Sequence, residues 1–99
     1  MRSSNAQHPG AVLKSLIEEF GISRKELAER LGWEYQKVAN LVNGNTSVTA
    51  KIAIQLAEAF GTTPMIWLTA QKSWELSEAM KKLRKNRKRI KPFKRLTKG

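Results

Sequence analysis

Ser23-Arg-Lys-Glu-Leu-Ala-Glu-Arg-Leu-Gly-Trp-Glu-Tyr-Gln-Lys-Val-Ala-Asn-Leu-Val-Asn-Gly44 is the stretch that decides the fold of this 99-residue chain. Glu26 follows Ser23 at the spacing of a capping box, so a helix is predicted to start there. Gly32 predicts a left-handed turn at its end. A second helix begins almost at once. Its apolar residues recur at helical spacing, at Val38, Leu41 and Val42.

Two helices that cross steeply over so short a turn need a small residue where their backbones approach. Ala28 meets that need, and Leu27 and Leu31 supply the apolar side of the first helix. The combination of cap, alanine, glycine turn and apolar spacing predicts a DNA-binding helix-turn-helix. The alternative is an ordinary helical hairpin whose exposed face happens to be polar.

The outward face of the second helix carries hydrogen-bonding side chains rather than a mixture of Glu and Lys. We expect its N-terminal half to enter the major groove, where Gln36 can pair with adenine and Lys37 can donate to guanine or phosphate. Asn40 should face the same groove wall. Tyr35 has two interpretations: it stacks on sugar or touches a thymine methyl group, or it packs against Trp33.

Phosphate contacts are expected from the two ends of this motif. The residues concerned are Arg24 and Lys25 at the N-terminus of the first helix, and Asn43 and Asn45 after the second helix.

Working outward, Gly21 and Gly61 follow two further apolar runs, and Thr49 and Thr63-Pro64 are candidate helix starts. These signals predict helices at about residues 10–20, 23–31, 34–43, 49–60 and 64–84, with no strand. The predicted fold is therefore all-α. A five-helix domain at residues 9–84 follows a flexible N-terminus at 1–8 and precedes a basic C-terminal tail at 85–99.

The fifth helix carries more large apolar residues than so small a core can comfortably hold. We expect Trp67 in the core and assign Trp74, Leu76 and Met80 to a two-fold dimer contact. Such a homodimer would place two recognition helices one DNA turn apart, ~34 Å.

The net charge of +11 lies wholly at the C-terminus, because residues 1–80 hold equal numbers of acidic and basic residues. Residues 81–99 contain the remaining Lys and Arg residues and no acid. Ile90, Phe93 and Leu96 interleave with them, and Pro92 breaks any long helix. We expect an arm that follows phosphates. The alternative is a disordered tail that adds little beyond solubility.

Other function classes are disfavoured. The chain has no cysteine, and His8 stands alone without metal-ligand partners, so it is better explained as a residue at a helix start. Ser15, Ser73 and Ser77 have no histidine at usable spacing, and the carboxylates are scattered along predicted solvent faces, so neither a catalytic site nor a cofactor is predicted. No apolar run approaches the roughly 18 residues of a membrane span, and no signal peptide is evident, so a cytoplasmic location is expected.

The segments Ser23–Gly32 and Val38–Gly44 resemble the helix-turn-helix of the lambdoid phage repressor and Cro superfamily, often called the XRE family. Three flanking segments, His8–Gly10, Thr49–Ala57 and Gly61–Leu68, are similar to the HigA (VapI-type) antitoxins of type II toxin–antitoxin modules. The resemblance covers residues 8 to about 80.

This resemblance implies a lambda-repressor-like fold and a dimeric autorepressor that binds palindromic double-stranded operator DNA. It also implies a RelE-like ribosome-dependent ribonuclease as the toxin partner. Trp33-Glu34-Tyr35 departs from the Ser or Thr that commonly opens the recognition helix, so the operator sequence does not carry over. The basic tail has no counterpart in the family pattern, and because RelE-like toxins are themselves basic, it is a poor candidate for the toxin contact. A stand-alone or phage-derived regulator, and an RNA-binding or architectural protein dominated by its tail, are the alternatives.

Overall fold

The computed structural model describes residues 6–86 and 88–96. Within them the chain forms five α-helices and no strand, which confirms the all-α prediction. The helices are α1 (Pro9–Glu19), α2 (Arg24–Leu31), α3 (Tyr35–Val42), α4 (Ala50–Phe60) and α5 (Pro64–Asn86). The predicted boundaries agree within two residues, and α5 extends into the segment predicted as tail. Most of the predicted flexible N-terminus, residues 1–5, lies outside the described residues.

The ends of α2 follow the local chemistry of the sequence. The Glu26 backbone N–H donates to Ser23 Oγ over 2.9 Å, and the Ser23 N–H donates to Glu26 Oε1 over 3.2 Å, which completes the capping box. Gly32 closes the helix in the left-handed conformation with φ of 71°. The short turn between α2 and α3 therefore requires a glycine, because any other residue at position 32 would have a strained backbone.

A single hydrophobic core joins all five helices. Trp67 is completely buried in it, as predicted, and its indole N–H donates to Thr62 Oγ1 over 2.9 Å. Each of the other helices contributes fully buried side chains to the same cluster, for example Leu13, Leu27, Val38 and Leu56.

Gln71 on α5 is buried, and both ends of its amide have partners. Its Oε1 accepts the Val48 backbone N–H over 2.8 Å, and its Nε2 donates to Glu75 Oε2 over 2.8 Å. Since Val48 lies in the loop after α3, this amide fastens that loop to the long fifth helix. Among the described residues, no helix has the length and apolar character needed to cross a bilayer.

Candidate nucleic-acid interface

The α3 helix has one face in the core and one face in water. Val38 and Leu41 are completely or almost completely buried, and Ala39 is buried beside them. On the α2 side, Ala28 is buried as expected, and its carbonyl accepts the Trp33 backbone N–H over 2.8 Å across the Gly32 turn. The core thus holds α3 in one orientation, and whatever lies on its other face is presented rigidly.

The exposed face of α3 carries the predicted polar residues. Tyr35, Gln36 and Lys37 are exposed, and Asn40 is half-buried. Gln36 Nε2 donates to Asn40 Oδ1 over 3.0 Å, one helical turn apart. This bond uses neither the side-chain oxygen of Gln36 nor the amide protons of Asn40. The pair therefore offers an acceptor and donors side by side, which matches the N6 and N7 edge of adenine.

Trp33 shapes the start of this surface. The Lys37 ammonium lies 4.3 Å from the centroid of the Trp33 ring, which is a cation–π distance. Tyr35 is about half exposed, and no ring–ring contact joins it to Trp33 among the aromatic pairs of the described residues. The Trp33 face is therefore covered by Lys37. The indole N–H of Trp33 is buried and has no hydrogen-bond partner in the part of the chain that the structure describes.

The predicted phosphate-contacting residues lie at the two ends of the motif. Lys25 is exposed and Arg24 half-buried in the first turn of α2. Asn43 is the C-cap of α3, and the Asn45 backbone N–H donates to the Asn40 carbonyl over 2.8 Å. Both asparagine side chains are exposed. Their availability agrees with phosphate contacts, which stay a prediction.

Gly10 is a positioning residue that reasoning from the sequence missed. A Cβ at this position would collide with the Leu41 carbonyl oxygen and lie 2.9 Å from the Val42 carbonyl oxygen. The N-terminal turn of α1 therefore packs directly on the C-terminal carbonyls of α3. The available signal was a glycine inside a first helical turn, directly after a proline. Glycine lowers helix stability, so its presence there indicates a position where another part of the backbone approaches closely.

His8 completes the same junction. It is the N-cap of α1, as its helix-start interpretation predicted, and its Nδ1 accepts the Gly10 N–H over 2.9 Å. Its ring packs edge-on against Trp74 of α5 at a centroid distance of 4.9 Å and lies beside Gly44. The segment before α1 thus connects the C-terminal end of α3 to α5.

The structure separates the three residues predicted for the dimer contact. Trp74 is half-buried against His8 of its own chain, whereas Leu76 and Met80 are more than half exposed. With about 100° per helical residue, Leu76, Met80 and Leu83 share one stripe on the side of α5 away from Trp67. Leu83 belongs to this stripe and was not among the predicted contact residues.

The described residues hold no cluster of three or more His, Asp or Glu side chains of the kind that binds a metal ion. The fixed, exposed face of α3 instead offers the neutral hydrogen-bonding amides of Gln36 and Asn40 beside the Lys37 ammonium. That chemistry suits recognition of base edges.

A family model described as "Helix-turn-helix" matches residues 13–68, a span that holds α2, α3 and α4. The chain belongs to this helix-turn-helix family. It is 39% identical to "Antitoxin HigA-1" of Vibrio cholerae over 85% of this chain and 80% of that relative.

Two solved structures extend the similarity to the whole fold. A HigA-family addiction module antidote protein from Coxiella burnetii matches with a TM-score of 0.81 and 35% identity, covering 91% of this chain and 100% of that one. The Pseudomonas aeruginosa antitoxin HigA, solved with the higBA promoter, matches with a TM-score of 0.82 and 29% identity, covering 89% and 98%. These findings confirm the resemblance to HigA antitoxins and the lambda-repressor-like fold that it implied. The family is one of DNA-binding regulators and antitoxins and not a known enzyme class.

Proposed function

We propose that this helix-turn-helix protein is the antitoxin of a type II toxin–antitoxin module and represses its own operon by binding operator DNA as a dimer. The observation that carries the proposal is the Gln36–Asn40 amide pair on the exposed face of α3, whose opposite face is fixed in the core. The promoter complex of the Pseudomonas HigA supports the same use of the fold.

In the proposed complex, α3 lies in the major groove and the amide pair meets an adenine. Since each amide orients the other before DNA arrives, less side-chain entropy is lost on binding than with two free side chains. A well-placed bidentate contact discriminates against the wrong base by about 1–3 kcal/mol. Gln36 is therefore the residue from which we expect the largest share of sequence preference.

Lys37 and Trp33 act beside this pair. The ammonium group already lies over the indole ring, which restricts it to the N-terminal end of α3. From that position it donates to a guanine or to a phosphate at the groove edge. Because this chain has Trp33 and Tyr35 around Glu34, the operator sequences of family members that open α3 with Ser or Thr do not carry over to it.

Dimerisation uses the apolar stripe of Leu76, Met80 and Leu83 on α5. A two-fold contact between such stripes buries side chains that a monomer leaves in water and gives each dimer two recognition helices. The operator is then a palindrome whose half-sites lie about one DNA turn, ~34 Å, apart.

The toxin partner is a RelE-like ribonuclease, as the family resemblance implies. We expect antitoxin and toxin to be encoded side by side, and the complex of the two to repress more strongly than the antitoxin alone.

Two measurements test the proposal. Fluorescence anisotropy with the DNA upstream of the chain's own gene should show tighter binding than with a random duplex of equal length, in competition with excess random DNA. Equal affinity for both duplexes would refute the repressor assignment.

Co-expression with the product of the adjacent gene should yield a stable complex, and a neighbour that neither binds nor is inhibited would refute the antitoxin assignment.

A further inference from the structure

The segment from Lys88 to Leu96, here called the basic arm, differs from the rest of the described chain in its exposure. Ile90, Phe93 and Leu96 are 88%, 101% and 91% exposed. The basic arm lies outside any helix, and Pro92 prevents α5 from continuing through it. Three large apolar side chains in water on one short segment point to a partner outside the chain.

The cations of the basic arm also form no ion pair with any other described residue. Five of its nine residues are Lys or Arg, and none is acidic. Among the described residues the ion pairs are Lys72–Glu75 and Lys81–Glu78, both on α5. A second copy of the chain offers no surplus of acids either, since residues 1–80 are neutral overall. The partner must therefore be a different, strongly anionic molecule.

The density of charge fits a nucleic-acid backbone. Nine extended residues span at most ~30 Å at ~3.3–3.6 Å each. The five cations thus follow one another every ~6 Å. One DNA strand presents a phosphate every ~3.4 Å of helix axis and, because the strand winds around that axis, at roughly twice this separation along its own path. The basic arm can therefore pair with successive phosphates along one strand, which a compact acidic protein surface does not offer.

The apolar residues favour duplex DNA over RNA. Side chains three residues apart fall on one side of a chain with three residues per turn, a conformation that Pro92 favours, at a separation of ~9 Å. Minor-groove binding proteins combine Arg and Lys with apolar wedges of this kind, such as Phe, Leu, Ile and Pro. The minor groove of A-form RNA is wide and shallow, and it gives such a row less to pack against.

We propose that the basic arm is a second DNA-binding element, which follows the phosphate backbone beside the operator and places Ile90, Phe93 and Leu96 against the minor groove. The position beside the operator rests on the proposed function. The contact with duplex DNA does not, because it involves no base recognition by α3. In this division, α3 supplies sequence preference and the basic arm supplies affinity that is independent of sequence.

The decisive experiment compares the full chain with a chain that lacks residues 88–99. The exposed side chains of the basic arm play no part in the core, so both chains should give the same thermal melting curve. DNA affinity is measured for the operator region and for a random duplex between 50 and 300 mM salt. We expect the deletion to weaken binding to both duplexes at least ~10-fold at low salt and to lower the log–log salt slope by ~2–4 per protomer.

Two variants separate the charges from the apolar row. Replacing the five cations of the arm by Gln should lower the salt slope as the deletion does. Replacing Ile90, Phe93 and Leu96 by Ser should keep the slope but weaken binding ~3–10-fold. It should also remove the competition with netropsin, a minor-groove ligand, that we expect for the full chain. Lys94→Gln, with an expected slope change of up to ~0.9, is matched with Lys14→Gln on α1, for which a smaller change is expected.

Equal salt slopes and affinities for the full and shortened chains would overturn the inference, even if the operator is still preferred. A deletion that weakens binding to a structured RNA hairpin more than to either duplex would overturn it in favour of RNA. Failure of the proposed function gives a different result, in which neither chain prefers the operator. The salt slope on random DNA then still decides the role of the basic arm.

Discussion

Trp67 in the helical body, residues 9–86, is completely buried, whereas Phe93 in the basic arm is completely exposed. Both are large aromatic residues within one short chain, and the difference lies in what surrounds them. Trp67 has the core and the Thr62 hydroxyl as partners. Phe93 has lysines, arginines and a proline as its sequence neighbours. Recognition of a base sequence requires the fixed geometry of the body, while binding to phosphates requires only a dense row of cations.

The largest expected effect is a direct test of this contrast. Trp67→Ala removes a fully buried indole and should lower the free energy of unfolding by about 3–5 kcal/mol. Phe93→Ala should change it by no more than about 0.5 kcal/mol, since no packed contact is lost. Urea denaturation followed by circular dichroism measures both. A marked destabilisation by Phe93→Ala would show that the arm packs on the body and would remove the contrast.

The next expected effect concerns the junction between α1 and α3. Gly10→Ala forces a methyl group onto the Leu41 and Val42 carbonyls, so we expect a loss of about 3 kcal/mol in stability and weaker operator binding by the molecules that remain folded. Gly21→Ala is the matched control. Its added Cβ meets nothing within 4 Å, but its φ of +62° makes an alanine strained by about 1 kcal/mol. It should therefore cost some stability and leave operator affinity intact. If both variants bind the operator equally well, α1 does not position α3.

A third effect concerns base recognition alone. Gln36→Ala should weaken operator binding by about 1–3 kcal/mol, and because Gln36 is exposed it should leave the melting temperature unchanged. Affinity for a random duplex should change little. Gln55→Ala on α4 serves as the control, with no expected change on either DNA. An equal loss of affinity on all sequences would mean that Gln36 contacts the DNA backbone rather than the bases.

Whether a feature of the structure could be predicted from the sequence depends on how far apart in the chain the interacting residues lie. Helix ends were predictable because Ser23, Glu26 and Gly32 act on their own backbone within a few residues. The close approach of Gly10 to Leu41 was not, since it joins residues distant in sequence whose carbonyls give no sequence signal. The buried Gln71 amide escaped prediction for the same reason.

The candidate site also has a part that could be predicted from the sequence and a part that could not. The exposed row on α3 followed from helical periodicity, whereas its internal bond between Gln36 and Asn40 and the position of Lys37 over Trp33 depend on side-chain conformations. The dimer contact was predicted from apolar content alone. Content does not distinguish Trp74, which packs on His8, from Leu76, which faces solvent.

A smaller effect is expected for the apolar stripe on α5. Leu76→Lys together with Met80→Lys should raise the dimer dissociation constant at least ~10-fold, about 1.4 kcal/mol, through like-charge repulsion across the two-fold axis. Sedimentation at micromolar concentration would show monomers, and operator affinity should fall while the fold persists. Ile54→Lys, at a comparably exposed position on α4, should leave the dimer intact. A wild-type chain that sediments as a monomer would remove the dimer proposal altogether.

The smallest expected effect is a pH dependence of stability at Glu75. This residue bonds the Gln71 amide, which fastens the loop after α3 to α5. Hydrogen bonding from the Gln71 amide, and then from the Lys72 ammonium, holds the pKa of the Glu75 carboxyl below its usual value. A lowered folded-state pKa means that this contribution to stability is fully present above the unfolded-state pKa and is lost as pH falls through the folded-state pKa. Thermal melting should therefore show a slightly smaller loss on acidification for Glu75→Gln than for the wild type, because the amide has no proton to gain. Glu18→Gln, at an exposed position on α1, is the control that should follow the wild type. Identical acid profiles for all three chains would mean that Gln71 holds the Val48 loop without help from the carboxylate.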